Sequence, residues 1–116
     1  MEFLRNFYNY DVTGGKLVSD RVLEGNWNVA AGASAIATVA CVDCWIEDFR
    51  NDIPKNKVPT LLLHGDADRI LPPDATSRRQ AKMIKSVKFV ELPGGSHGVL
   101  WTHADRINSE LVSFLG

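Results

Sequence analysis

The sequence predicts an α/β fold in which a strand–helix–strand–helix unit follows a helical first half. The apolar run Thr60–Leu63, bounded by Pro59 and Gly65, predicts a buried strand. Val87–Leu92 alternates enough to predict a second, half-buried strand, and residues 75–85 between them predict a helix. A helix that joins two such strands makes a right-handed βαβ unit with parallel strands.

The first half of the chain predicts helices only, so we divide the sequence into a helical segment 1–52, a polar connector 53–57 and the βαβα part 58–116. Within the first segment, the sequence predicts a short helix over Glu2–Asn9, a helix that Ser19 caps and that runs to about Ala31, and an Ala-rich buried helix over Ser34–Trp45.

The second half contains two further helix signals. Asp74 is a plausible N-cap for the helix between the strands. The last helix is expected to open at Thr102 or His103 and to run to Leu115, with apolar side chains on one face.

Length and composition exclude several classes of protein. At 116 residues the chain is at most one small domain, and a formal net charge of −1 implies no surface for nucleic acid. No apolar run approaches the roughly 18 residues of a membrane span, and the first residues lack a signal-peptide pattern. We therefore expect a cytoplasmic protein without membrane or nucleic-acid partners.

The residues that follow the two strands predict a catalytic pair. Asp68 follows the first strand and His97 follows the second. Because parallel strands end at the same edge and lie about 5 Å apart, a carboxylate and an imidazole on these loops can form a hydrogen bond. Such a carboxylate orients a general base, which makes the pair two thirds of a catalytic triad. The alternative from spacing alone is a solvated acid and a structural histidine.

Other polar residues are better explained structurally. We expect Asp66 and Asp74 to be solvated or to cap turns. Cys41 and Cys44 have a CxxC spacing, but no second pair and no histidine lies nearby, so we expect two buried thiols on an Ala-rich helix rather than a zinc site. The aromatic residues Trp27, Trp45 and Phe49 are expected to pack in the helical segment or to line a substrate pocket.

Several motifs together resemble one family of enzymes. The run from His64 to Pro72 and the later Gly94–Gly98 look like the acid loop and the histidine loop of α/β-hydrolases. The resemblance extends to the cofactor-free, non-haem bacterial haloperoxidases (bromoperoxidases and chloroperoxidases), and only to the C-terminal part of that family. The further segments that carry it are Phe7–Asn9, Trp27–Asn28 with Ala30–Ala31, Trp45 with Asp48–Arg50, Asp52–Pro54 and His97–Ala104.

The resemblance implies a partial α/β-hydrolase fold, with residues 1–52 as the remnant of a helical cap. It implies that Asp68 is the triad acid and His97 the general base, with neither metal nor haem. The implied substrates are esters, or a carboxylic acid and peroxide that form a peracid.

The family's nucleophile is a serine in a Gly-x-Ser-x-Gly turn before the cap, and we expect it to lie upstream of Met1 together with the oxyanion loop. Ser96 in Gly94–Gly98 satisfies the pattern literally. We interpret Ser96 as a structural loop serine because it is adjacent to His97 in sequence, and because residues 99–101 are not expected to open a helix at once. No second set of acid and histidine is evident to serve Ser96, although His64 and His103 stay open as alternative bases.

Two functions from different classes therefore stay open. The chain is either the acid–base half of a serine hydrolase or a truncated fragment that folds and oligomerises without activity. Because the first strand has no partner on one side, we expect a homodimer formed through that edge or by exchange of elements.

Overall fold

The computed structural model describes residues 1–116, and it contains a two-stranded parallel sheet surrounded by short helices. The strands are β1 (Thr60–Gly65) and β2 (Val87–Leu92). The α-helices are α1 (Glu2–Phe7), α2 (Tyr10–Thr13), α3 (Asp20–Ala31), α4 (Ala35–Ala40), α5 (Ser77–Ala81), α6 (Val99–Thr102) and α7 (Ala104–Leu115), and two 3₁₀ helices cover Val42–Ile46 and Ile53–Lys55.

The parallel βαβ unit predicted from the sequence is present. β1 pairs with β2 in a register that runs from Thr60 opposite Val87 to Gly65 opposite Leu92. The Asp66 amide continues the ladder by donating to the Leu92 carbonyl at 3.1 Å. Both strands therefore end at the same edge, where the Asp68 loop and the His97 loop begin.

Buried apolar side chains are few and occur in both halves of the chain. In the helical segment, Leu4, Tyr8, Val18 and Leu23 form one core. Around the sheet, the buried apolar residues are Ile84, Leu92 and Ile107. Burial of each such side chain stabilises the fold by about 1.5–3 kcal/mol.

The prediction of one buried helix over Ser34–Trp45 is wrong in two respects. It is divided into α4 and the 3₁₀ helix Val42–Ile46, and none of its residues is buried. The Ser34 hydroxyl does cap α4, because it accepts from the Ala37 amide at 3.3 Å. No other element packs closely against this segment, so its apolar side chains and both cysteines, Cys41 and Cys44, stay exposed.

The ends of the other helices also differ from expectation. Helix α5 is shorter than predicted, and Thr76 rather than Asp74 precedes it. The Asp74 carboxylate instead lies 2.9 Å from the Arg78 guanidinium. The last helix is α7, and His103, which is outside the helical region of backbone space, separates it from α6.

The helices of this chain are short. No single one is both long and apolar enough to cross a membrane. The segments Asp20–Ala31 and Ala35–Ile46 pass by length and composition only when taken together, and they are bent by 88°.

The loops after the two strands pass each other at glycine residues. A Cβ atom on Gly65 would lie 2.2 Å from the Gly95 carbonyl oxygen and 2.7 Å from that of Ser96. Both oxygen atoms belong to the backbone, so a change of side-chain rotamer cannot relieve the clash. Glycine at position 65 is therefore required for the two loops to meet.

This close approach predicts opposite effects for two Gly→Ala substitutions. Gly65→Ala should destabilise the chain by about 3 kcal/mol or more, because the backbone of the second loop must move. Gly25→Ala should stabilise it by about 1 kcal/mol, because Gly25 lies within α3 and its Cβ would meet nothing within 4 Å. Urea unfolding monitored by circular dichroism measures the free energy of unfolding of both variants. Equal effects of the two substitutions would contradict the close backbone contact at Gly65.

Candidate active site

The acid loop after β1 holds the Asp68 carboxylate in a buried position. Its Oδ1 atom accepts from the backbone amides of Ile70 and Leu71, each at 2.9 Å. Burial raises the pKa of this carboxyl, but the Leu71 amide, the His97 side chain and the Ile70 amide together outweigh burial and leave the pKa of Asp68 below its ordinary value. Asp68 is therefore an anion at neutral pH.

The histidine loop after β2 brings His97 to this carboxylate. His97 Nδ1 lies 2.8 Å from Asp68 Oδ2. Since an ionised carboxylate can only accept hydrogen bonds, Nδ1 carries the proton and donates it to Asp68. The neutral imidazole then has an unprotonated Nε2, which can accept a proton from a nucleophile. The two residues predicted from strand-end spacing thus lie together in the geometry of an acid–base pair.

The N-terminal segment holds the histidine loop from the other side. The Gly98 amide donates to the Phe7 carbonyl at 3.1 Å, and the Phe7 ring meets the His97 ring edge to face, with centroids 4.7 Å apart. A Cβ atom on Gly98 would lie 2.2 Å from the Tyr8 ring. The orientation of His97 therefore depends on contacts that span about 90 residues of sequence.

Asn9 ties the acid loop to the same segment. Its side-chain amide donates to the Ala67 carbonyl at 2.8 Å, and the residue is 3% exposed with a φ angle of 50°. A positive φ is uncommon for a residue other than glycine, although asparagine tolerates it better than most. Spacing alone did not single out Asn9 as a site residue, since its partner is 58 positions away.

A second imidazole lies beside the acid. His64, on β1, places Nε2 2.9 Å from the Leu71 carbonyl oxygen and 3.2 Å from Asp68 Oδ2. The sequence leaves His64 open only as an alternative base for Ser96, because a histidine at the end of a strand has no signature of its own. Its position becomes informative only once the acid loop folds back over β1.

The Ser96 hydroxyl forms no hydrogen bond with an imidazole. Ser96 is buried, and its hydroxyl oxygen accepts from the Gly98 amide at 3.2 Å, as in a structural turn. One of our reasons for that interpretation is wrong, because α6 opens at Val99, directly after Gly98. The burial of Ser96 and its local hydrogen bond support the structural interpretation instead.

Asp68 and His97 line a small cleft that adjoins a larger apolar one. The first has a volume of about 210 Å³ and is lined by Leu63, His64, Gly65, Asp68, Leu71, Ser96, His97 and Val99. The second has a volume of about 730 Å³ and is lined by Phe3, Cys44, Trp45, Glu47, Phe49, Ile70 and Leu71. Leu71 belongs to both, so the apolar cleft begins next to the acid loop.

The remaining candidate residues lie outside this site. The Asp66 carboxylate accepts from the Gly94 amide at 2.7 Å and thereby joins the two loops. Cys41 and Cys44 are free and exposed, not buried as expected. No group of three or more His, Cys, Asp or Glu side chains in residues 1–116 is arranged to hold a metal ion.

The lowered pKa of Asp68 predicts a pH-dependent contribution to stability. Since the folded pKa lies below the unfolded one, this contribution is complete above the unfolded pKa and is lost as the pH falls through the folded pKa. Asp68→Asn should cost about 1–3 kcal/mol at pH 7 and weaken the loss of stability below about pH 4. Asp74→Asn, at an exposed carboxylate, is the control; urea unfolding at a series of pH values separates the two, and identical profiles would contradict the prediction.

Comparison with known proteins supports the family resemblance. A profile described as the alpha/beta hydrolase fold matches residues 2–104. The crystal structure of a bromoperoxidase from Bacillus anthracis superposes with a TM-score of 0.90 at 37% sequence identity and covers 98% of this chain. The chain covers 41% of that structure.

Three curated relatives also match most of this chain over about two fifths of their own length. A protein of Synechocystis sp. whose name assigns it to the non-heme chloroperoxidases is 50% identical over 113 residues, which are 97% of this chain and 41% of the relative. Non-heme chloroperoxidase CPO-A1 of Kitasatospora aureofaciens is 35% identical over 83% of this chain and 38% of its own length. The bifunctional esterase/perhydrolase DCH of Acinetobacter calcoaceticus is 31% identical over 94% of this chain and 40% of its own length.

The chain therefore spans about two fifths of the length of the relatives it matches, as expected for the C-terminal portion of a bromoperoxidase-like hydrolase. The predicted family and the predicted partial fold are both confirmed. With a profile that matches most of its residues, a parallel βαβ unit and a near-complete superposition on a bromoperoxidase, this chain belongs to the α/β-hydrolase fold family.

Proposed function

We propose that this chain supplies the acid and the general base of a serine hydrolase of the non-haem haloperoxidase and perhydrolase–esterase type. The observation that carries the proposal is the 2.8 Å contact between Asp68 Oδ2 and His97 Nδ1. This contact leaves His97 Nε2 free to take a proton, while the ionised Asp68 stabilises the imidazolium that results.

The proposed reaction is acyl transfer through a serine. His97 accepts the serine hydroxyl proton as the oxygen attacks the ester carbonyl, and it then returns the proton to the leaving alcohol. Water releases a carboxylic acid from the acyl-serine, whereas hydrogen peroxide releases a peracid. The name of the Acinetobacter calcoaceticus relative, an esterase and perhydrolase, supports this pair of outcomes.

We propose that the serine comes from polypeptide outside residues 1–116. Within these residues, Ser96 is the serine of the only Gly-x-Ser-x-Gly pattern, and its burial and its turn hydrogen bond argue against a nucleophile. The large accessible surface of the chain also supports the presence of further polypeptide. The chain exposes 8100 Å², whereas a folded monomer of 12.8 kDa is expected to expose about 6,300 Å². Polypeptide that covers this excess could bring the serine to His97.

The apolar cleft suggests where the acyl group would lie. It is lined mainly by apolar side chains, and Leu71 connects it to the acid–base pair. Its volume of about 730 Å³ is within the range of small-molecule sites, roughly 300–1,000 Å³. An ester or carboxylic acid with an apolar acyl chain would fit this surface better than a charged one, because Glu47 is the only charged residue that lines the cleft.

Complementation tests the proposal. Residues 1–116 would be co-expressed with the part of the Bacillus anthracis bromoperoxidase that this chain does not match, and p-nitrophenyl acetate hydrolysis would be measured. We expect activity from the pair and none above blank from residues 1–116 alone. His97→Ala in this chain should lower the rate of the pair by about 10³-fold or more, as loss of a triad member does.

The matched control is His103→Ala, which removes an imidazole that faces Thr102 and the Pro93 carbonyl rather than Asp68. A co-purifying pair whose hydrolysis is unchanged by His97→Ala, or that has none, would contradict the proposal.

A second candidate function is a non-catalytic fragment that self-associates, and the free edge of β1 favours it. The Thr60 and Asp66 amides donate to residues around β2, so alternation directs the Leu61 amide to the opposite edge. No strand pairs there. If two copies each covered their excess of about 1,800 Å², the interface of about 3,600 Å² would be of the size of obligate dimers.

Sedimentation velocity tests this second candidate. The wild-type chain is expected to sediment as a dimer, and Leu61→Pro should shift it to monomer, because proline removes the amide that an added strand would use. The βαβ unit should persist in the variant, since that amide does not face β2. A compact wild-type monomer at all concentrations would contradict self-association.

A further inference from the structure

We propose that His64 is a positioning residue for the acid–base pair: through the Leu71 backbone, it holds the acid loop in the conformation in which Asp68 meets His97. This inference deepens the proposed function by adding a residue to that site, but its test requires no catalysis.

The first step concerns the protonation of His64. Its Nε2 atom lies 2.9 Å from the Leu71 carbonyl oxygen. A carbonyl oxygen can only accept, so Nε2 carries a proton and donates it. His97 instead carries its proton on Nδ1, which faces Asp68 at 2.8 Å. In their neutral forms, the two imidazoles that face the acid are therefore in opposite tautomers.

The second step concerns what Leu71 connects. Its carbonyl accepts from His64, and its amide donates to Asp68 Oδ1 at 2.9 Å. The Thr76 hydroxyl also lies near that carbonyl, at 3.4 Å, but it is closer to the Pro72 carbonyl, at 2.9 Å. One residue thus ties the strand histidine to the carboxylate, and His64 is its nearest side-chain donor.

The third step concerns rigidity. His64 is on β1, paired with Glu91 of β2, whereas Leu71 lies in a loop without secondary structure. The His64 side chain is 14% exposed and the Asp68 side chain 3% exposed, whereas Leu71 is 48% exposed, so the imidazole holds an otherwise solvent-facing turn of the loop against the strand. His64 Nε2 is also 3.2 Å from Asp68 Oδ2, the atom that His97 contacts. Loss of the imidazole would free both the loop and that side of the carboxylate.

The first measurement uses the unmodified chain. Imidazole ¹⁵N chemical shifts identify the tautomer of a histidine, and the chain has three histidines. We expect His64 in the Nε2–H tautomer and His97 in the Nδ1–H tautomer at neutral pH. His64 in the Nδ1–H tautomer would overturn the inference.

The second measurement compares His64→Leu with His64→Gln. Leucine fills much of the space without a donor, whereas the glutamine amide can reach the position of Nε2 and donate to Leu71. In His64→Leu we expect hydrogen exchange of the Leu71 amide to accelerate about 5- to 10-fold, as for loss of one hydrogen bond, and His97 to lose its single tautomer. His64→Gln should stay within about 2-fold of wild type.

His103→Leu is the matched control, because it removes an imidazole Nε2 that lies 3.1 Å from the backbone carbonyl of Pro93, on the other loop. It should leave Leu71 exchange unchanged. Unaltered exchange and tautomer in His64→Leu, or a His64→Gln variant as altered as His64→Leu, would overturn the inference. If His64→Leu does not fold, the histidine tautomers of the wild-type chain and the Leu71 exchange rate in His64→Gln still test the inference. Success here with failed complementation would leave the positioning role intact and reject the proposed reaction.

Discussion

The buried Asp68 carboxylate is the constraint on which the site depends. An anion removed from water needs nearly all of its acceptor positions filled, and here two loop amides and one imidazole fill them. The same requirement shapes the loop, because Ile70 and Leu71 must turn their amides back toward Asp68. The geometry that keeps the acid ionised is thus also the geometry that sets the tautomer of His97.

Two loops can meet at this carboxylate only because the chain approaches itself at glycine. Gly65 and Gly95 bring backbone against backbone, and the Asp66 side chain closes the contact by accepting from Gly94. The helical first half completes the arrangement through Phe7 and Asn9, which reach one loop each. The helical segment 1–52 is therefore part of the structure that holds Asp68 and His97 together, as well as a neighbour of the apolar cleft.

Outside this region, the chain is less compact than a typical domain of its size and exposes much apolar surface. Its radius of gyration is 15.8 Å, against about 13.4 Å for a compact domain of 116 residues, and many large apolar side chains, such as Ile36 and Trp45, are exposed. The chain matches about two fifths of the Bacillus anthracis bromoperoxidase, so the other three fifths of that structure has no counterpart in these residues. Among the buried residues, Asp68 and Tyr8 lie in the contacts that hold the two loops and the N-terminal segment together.

Sequence patterns alone predict the parallel βαβ unit, and they place Asp68 and His97 where the two side chains can form a hydrogen bond. Strand periodicity is a local signal, and parallel strands necessarily end at one edge. The burial of the helical segment and the other residues of the site depend on contacts between distant parts of the chain. The Ala-rich segment around α4 looks buried in sequence but is exposed, because burial depends on what packs against a helix and not on its composition. His64 and Asn9 join the site through contacts that exist only after the loops fold back, for which no local pattern could provide a signal.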